Sequence, residues 1–195
     1  MGIAVPVLYF GVQFIAAPFY PGYSFLRQPA SMLGSDLSTC PVILNVGAVI
    51  TGVITLFASL GFFCALRLIG IHPIITWLTC LALVSSGLSS IWAGVFHMPD
   101  PRHNSGPLGI GTFLLPVLFA AVVWKLKDAR MLRLYLFVNL LLMVALVPIM
   151  SGAAGVNMAN YGGLLQRIAA LTLFPPVGVV ALFLMRRTPP FERLV

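Results

Sequence analysis

Six apolar stretches, over residues 3–20, 41–66, 72–97, 106–124, 132–150 and 162–185, take up most of the chain, and its polar residues gather in the gaps. A bilayer hydrocarbon core of ~30 Å asks for about 20 mostly apolar residues per helix, and each stretch lies near that length. In lipid every backbone polar group must be satisfied inside the protein, which leaves helices or closed barrels. A barrel strand needs only about 9–11 residues, far fewer than an unbroken run such as 42–66. The pattern predicts an all-α polytopic integral membrane protein, a six-transmembrane-helix bundle forming a single transmembrane domain over residues 1–195.

The first stretch carries Pro6, Gln13 and Pro18 and has no Lys or Arg before it. A secretory signal would want a positive n-region ahead of a small-residue cleavage site. A retained helix is therefore expected. Cleavage after Ala16-Ala17 is the alternative, and it would leave five helices.

Composition removes the soluble class. Residues are 60% hydrophobic and 8% charged, against about a quarter charged in soluble domains. The net charge of +7 suggests nucleic acid until the positions are considered. Arg67 lies in the second gap, Lys125, Lys127, Arg130 and Arg133 in the fourth, and Arg186, Arg187 and Arg193 in the tail. Only Arg27, Arg102 and Arg167 fall on the other side if loops alternate. Lys and Arg in short loops mark the cytoplasmic face. The expectation is a multi-pass protein of the cell (plasma) membrane with both termini cytoplasmic and no nucleic-acid partner. Its partners are the lipid bilayer and, at the basic face, anionic lipid headgroups. Nothing in the pattern fixes an oligomeric state.

On this topology Cys40 sits at the outer surface, Cys64 near the inner one and Cys80 inside the third helix. A disulfide needs Cα atoms within about 7 Å, so no bridge is expected. Small residues let membrane helices approach closely. Gly47 and Gly52, then Ser86, Ser90 and Gly94, then Gly106, Gly109 and Gly111 are read as helix contacts. The run from Gly106 to Gly111 follows no strand and lacks a closing Lys-Ser/Thr, so it is no phosphate loop. Pro116, Pro148, Pro175 and Pro176 should bend or interrupt their helices, most sharply at the Pro175-Pro176 pair. Interrupted helices expose backbone to substrate in transporters.

Polar chemistry collects on the outer side. Tyr23, Arg27, Gln28, Asp36, His97, Gln166 and Arg167 are candidates for a substrate-binding or structural cluster, and Ser31, Asp100 and His103 are candidate catalytic residues. His97, Asp100 and His103 are chemically adequate zinc ligands, since a catalytic zinc takes three protein ligands. Their spacing is unspecific, and a loop cap pairing Asp100 with Arg102 or Arg27 is the favoured alternative. Haem is disfavoured because His72 and His97 lie at opposite ends of one helix, ~37 Å apart at about 1.5 Å per residue. No cofactor is predicted, with zinc the one possibility kept. Arg167 lies about one turn into the last helix. It is expected to turn inward and pair with Asp36 or Asp100, because a lone charge facing lipid costs several kcal/mol.

Two functions compete. One is a non-enzymatic carrier, sensor or accessory protein with a polar site at the extracytoplasmic side. The alternative is a membrane-embedded hydrolase acting on lipid at the outer leaflet, working through Ser31 or a metal-bound water near His103.

Four motifs carry a resemblance. They are Tyr-Ser-x-Leu-x-Gln-Pro-x-Ser-x-Leu-Gly from Tyr23 to Gly34, Asn45 with Gly52, Pro99-Asp100 followed by His103, and Gly-Leu-Leu-Gln-Arg from Gly163 to Arg167. Taken in order, they resemble the bacterial and archaeal six-helix membrane proteins of domain-of-unknown-function family 998. The resemblance spans nearly the whole chain. It implies six helices and points to Ser31, Asp100, His103 and Arg167, with no activity to carry over. The family pattern has an acidic residue between Ser31 and the Leu-Gly pair, where this chain has Met32.

Overall fold

The computed structural model describes residues 1–188 except Ser105 and Lys125. Of the charges considered above, Lys125 and Arg193 lie outside the described residues. Among the described residues, seven α-helices run in order: α1 (Ala4–Ala16), α2 (Val42–Leu68), α3 (Pro73–Val95), α4 (Ile110–Val123), α5 (Arg130–Met150), α6 (Met158–Leu173) and α7 (Pro175–Met185). Short 3-10 turns cover Ala17–Phe19, Ala30–Gly34, Pro101–His103 and Gly106–Gly109, and there is no strand among the described residues.

Five helical runs are long and apolar enough to cross a membrane: α2, α3, α4 with the turns before it, α5, and α6 continued by α7. The first run, Ala4–Phe19, is shorter. At about 1.5 Å per residue it spans ~24 Å, less than the hydrocarbon core, so the expected first span of 3–20 is trimmed. The cause is local. Beyond Ala16 the chain tightens into a 3-10 turn containing Pro18 and becomes extended at Tyr20.

The last pass is broken where the paired prolines predict. α6 ends at Leu173, Phe174 intervenes, and α7 starts on Pro175, because neither proline supplies an N–H to continue the ladder. Pro116 and Pro148 differ, since α4 and α5 each continue through theirs.

α2 and α3 make the most extensive helix–helix contact. A Cβ on Gly52 would collide with the Gly87 carbonyl, and one on Gly87 would lie 2.9 Å from the Gly52 carbonyl. Only glycine lets two backbones approach so closely. Ser85 donates its hydroxyl to the Leu108 carbonyl at 2.6 Å, and Thr112 donates to Ser86 Oγ at 3.0 Å. These bonds tie α3 to α4. Thr51, Thr55 and Thr79 donate to carbonyls one turn back in their own helices, which satisfies hydroxyls that lipid cannot.

The two ends of the bundle differ in charge. Arg187 in the tail donates to the Lys127 carbonyl, Arg133 donates to the Trp124 and Leu126 carbonyls, and Gly2 sits against Ala181 and Phe62. The N-terminus, the α4–α5 turn and the end of α7 thus share one end. Arg67 is in the last turn of α2 there. The loop joining α1 to α2, the Pro101–His103 turn and the start of α6 occupy the other.

Candidate functional site

The α1–α2 loop is bound to α6 by a set of polar contacts that joins two of the sequence motifs. The α6 backbone N–H groups of Gly163 and Leu164 donate to the Arg27 and Leu26 carbonyls, each at 3.0 Å. Gln166 Oε1 accepts from the Ala30 N–H at 2.6 Å. Arg167 then closes the strap. One of its terminal nitrogens donates to the Phe25 carbonyl at 3.0 Å, the Gln28 carbonyl at 3.1 Å and the Gly163 carbonyl at 2.9 Å, and the other donates to the Tyr23 hydroxyl at 2.5 Å. Tyr23 passes its own proton to the Gln28 and Pro29 carbonyls at 3.2 and 3.1 Å. The Arg167 guanidinium also lies 4.7 Å from the Phe25 ring centre. Burial pushes the Tyr23 phenol above its ordinary pKa, and the hydrogen bond from Arg167 opposes that rise.

This arrangement corrects the expected ion pair. Among the described residues the one salt bridge is Arg102–Asp100, and Arg167 reaches neither Asp100 nor Asp36. Backbone carbonyl dipoles, a phenol and a ring face solvate the guanidinium instead. Its Nε is buried without a hydrogen-bond partner. Asp36 and Arg27 are exposed on the loop.

The segment around Asp100 is a self-contained cap. Asp100 accepts the Arg102 backbone N–H at 2.8 Å and two guanidinium N–H groups at 3.0 and 2.7 Å. The Arg102 side-chain bonds, followed by its backbone bond, bring the Asp100 carboxyl down to about 2. Arg102 lies over the Phe96 ring at 4.3 Å, and Trp92 donates to the Arg102 carbonyl at 2.7 Å. The zinc grouping of His97, Asp100 and His103 is not assembled, since no three His, Cys, Asp or Glu among the described residues converge on one point. The one carboxylate is spent on Arg102, and a different backbone carbonyl orients each histidine ring. His97 Nδ1 lies 3.0 Å from the Met98 carbonyl, and His103 Nδ1 lies 2.8 Å from the Phe96 carbonyl.

His103 instead helps to line a partly open cavity of about 170 Å³ with Ser31, Gln166, Tyr9, Gln13, Asn45 and Thr51. Beside it, framed by α3 to α6, lies a larger cavity of about 570 Å³, lined mainly by apolar side chains including Phe113, Met143, Leu146 and Leu173. Tyr9, Ala93 and Gln166 line both. Of the residues singled out from sequence, Ser31, His103 and Gln166 meet at the smaller cavity. Tyr23, Gln28 and Arg167 form the strap that roofs it, while Arg27, Asp36, His97 and Asp100 do not line it. Tyr9 and Thr51 were missed. Gln13 carried a signal, being an amide in an apolar helix, and it is only 2% exposed.

A family model described as "Protein of unknown function (DUF998)" matches residues 3–183. No curated protein and no solved structure matches the chain.

Proposed function

The chain belongs to the DUF998 family, and from that premise we propose that it is an integral membrane binding protein, a carrier, sensor or accessory protein, that holds an amphiphile at the extracytoplasmic side. The family supplies no activity, so the site carries this reading. Its support is the adjacency of a small polar cavity to a larger apolar one across the shared residues Tyr9, Ala93 and Gln166. The larger volume falls in the range of about 300–1,000 Å³ usual for ligand sites. A headgroup would occupy the polar chamber and an apolar chain the other. No step calls for a cofactor, and the candidate cluster acts by binding.

The same reading places the protein in the plasma membrane with the basic end cytoplasmic, against anionic headgroups. Its support is the gathering of Arg67, Lys127, Arg130, Arg133, Arg186 and Arg187 away from the cavity end. Cys40 precedes α2 at the cavity end and is partly exposed. A membrane-impermeant thiol reagent applied to intact cells is expected to label it, with Cys40→Ser as the blank. Labelling that appears only after cell lysis would reverse the orientation.

Native mass spectrometry of protein purified in mild detergent tests the binding reading. An intact amphiphile is expected at near one per chain. Ala93→Phe, which fills the wall common to both chambers, is expected to cut occupancy about tenfold or more with little change in thermal midpoint. Protein that neither carries an amphiphile nor takes one up from added lipid extract would sink the proposal. A second reading, hydrolysis of a lipid ester, is favoured by one observation, that Ser31 and His103 line the same cavity. Among the described residues no hydrogen bond joins them. The same spectra distinguish the two readings, since hydrolysis adds water to the ester and releases a free carboxylic acid and an alcohol, which Ser31→Ala abolishes.

A further inference from the structure

We infer that the polar chamber selects an uncharged, hydroxyl-bearing headgroup, such as a glycerol or sugar, over a phosphate or an ammonium. This deepens the amphiphile-binding reading and rests on it. Two features of the chamber carry the inference: the absence of ionic side chains in its wall and the sense of its hydrogen-bonding groups.

No Asp, Glu, Lys or Arg is among the residues that line either chamber. The nearest candidate cation by sequence, Arg167, follows Gln166 but spends its terminal N–H groups on loop carbonyls and the Tyr23 hydroxyl. A cationic headgroup would therefore meet no carboxylate there, and an anionic one only Arg167, whose terminal N–H groups are already committed, so either charge would be poorly compensated.

The remaining polar groups offer both senses of hydrogen bond. Gln13 donates its amide to the Tyr9 carbonyl at 2.9 Å, which leaves its oxygen as an acceptor. Asn45 donates to the Gly34 carbonyl at 3.0 Å and Thr51 to the Gly47 carbonyl at 2.7 Å, and each keeps an acceptor oxygen. His103 Nδ1 faces a carbonyl, which can only accept, so that nitrogen carries a proton. Gln166 spends its oxygen on Ala30 and keeps its amide donors, and Ser31 has a hydroxyl of either sense. A phosphate only accepts and would press against the acceptor oxygens of Gln13, Asn45 and Thr51, with the spare amide hydrogens of Gln13, Asn45 and Gln166 as its donors. An ammonium only donates and would strand the Gln166 donors. A hydroxyl does both. The space suits a small group, since about 170 Å³ equals the room of several waters at ~30 Å³ each.

The test uses the full chain in nanodiscs and three probes with one twelve-carbon chain: monolauroylglycerol, lauroyl lysophosphatidate and dodecylammonium. The glycerol ester is expected to bind at least about tenfold more tightly than either ion. Gln13→Leu and, separately, Ser31→Ala are expected to weaken the glycerol ester several-fold, about the loss of one hydrogen bond, while leaving the ionic probes unchanged. Two substitutions guard against one that fails to fold. Equal or tighter binding of either ion overturns the headgroup assignment and leaves the amphiphile reading intact. Binding of none of the three overturns both.

Discussion

Arg167→Met is expected to release the α1–α2 loop from α6 and to lower stability by about 3–5 kcal/mol, the loss of several hydrogen bonds made by a buried charge. The size follows from what the guanidinium holds. Four hydrogen bonds converge on it from three carbonyls and a phenol, and bonds to charged groups contribute about 1.5–3 kcal/mol each before non-additivity. Methionine fills a similar volume and supplies no donor, so the Phe25 carbonyl is left buried and unpaired. For a chain of this length the thermal midpoint should fall by roughly 10 °C. Arg167→Lys separates charge from geometry. An ammonium is a point charge with three donors and lacks the planar fork, so it should recover only part of the loss. Dye-monitored unfolding in detergent measures both, and a midpoint unchanged in Arg167→Met would mean that the strap bears no load.

The fold was legible in the sequence wherever lipid sets the rule. Apolar run lengths located the helices, and the Pro175-Pro176 pair located the break between α6 and α7, because both follow from where backbone hydrogen bonds can be made. The first span was overdrawn since hydropathy continues through Pro18 although the helical ladder stops at Ala16. Of the candidate residues, Ser31, His103 and Gln166 line one cavity, while Arg167 takes partners other than the expected carboxylates. Arg167 and Tyr23 were both singled out, yet they meet across 144 positions, a distance no local pattern bridges. The search for a countercharge considered only Asp36 and Asp100. Loop carbonyls solved the problem instead, and since every residue has one, composition cannot show which will be turned toward a guanidinium. The three expected zinc ligands likewise do not converge among the described residues, and the Asp100 carboxylate is spent on Arg102. Gln13 was visible as an oddity of an apolar helix, but its place opposite Ser31 and His103 depends on how α1 packs on α2.

The strap also makes a prediction about two neighbouring glycines that sequence treats as equivalent. At Gly163 an added Cβ would collide with the Gln28 carbonyl and lie 2.7 Å from that of Phe25. Both are backbone atoms that Arg167 holds in place, so neither can swing aside as a side-chain tip would. At Gly162 the nearest atom, the Arg27 carbonyl, lies at 3.6 Å, an ordinary contact. Alanine inside a helix is favoured over glycine by about 1 kcal/mol, whereas overpacking costs about 1–3 kcal/mol. Gly162→Ala is therefore expected to hold or raise the thermal midpoint, and Gly163→Ala to lower it and to weaken amphiphile retention as the loop lifts. In an Arg167→Met background the loop is already loose, so Gly163→Ala should cost markedly less there, a coupling that a double-mutant cycle reads directly. Equal behaviour of the two alanine variants, or strict additivity with Arg167→Met, would show that α6 and the loop do not meet at Gly163.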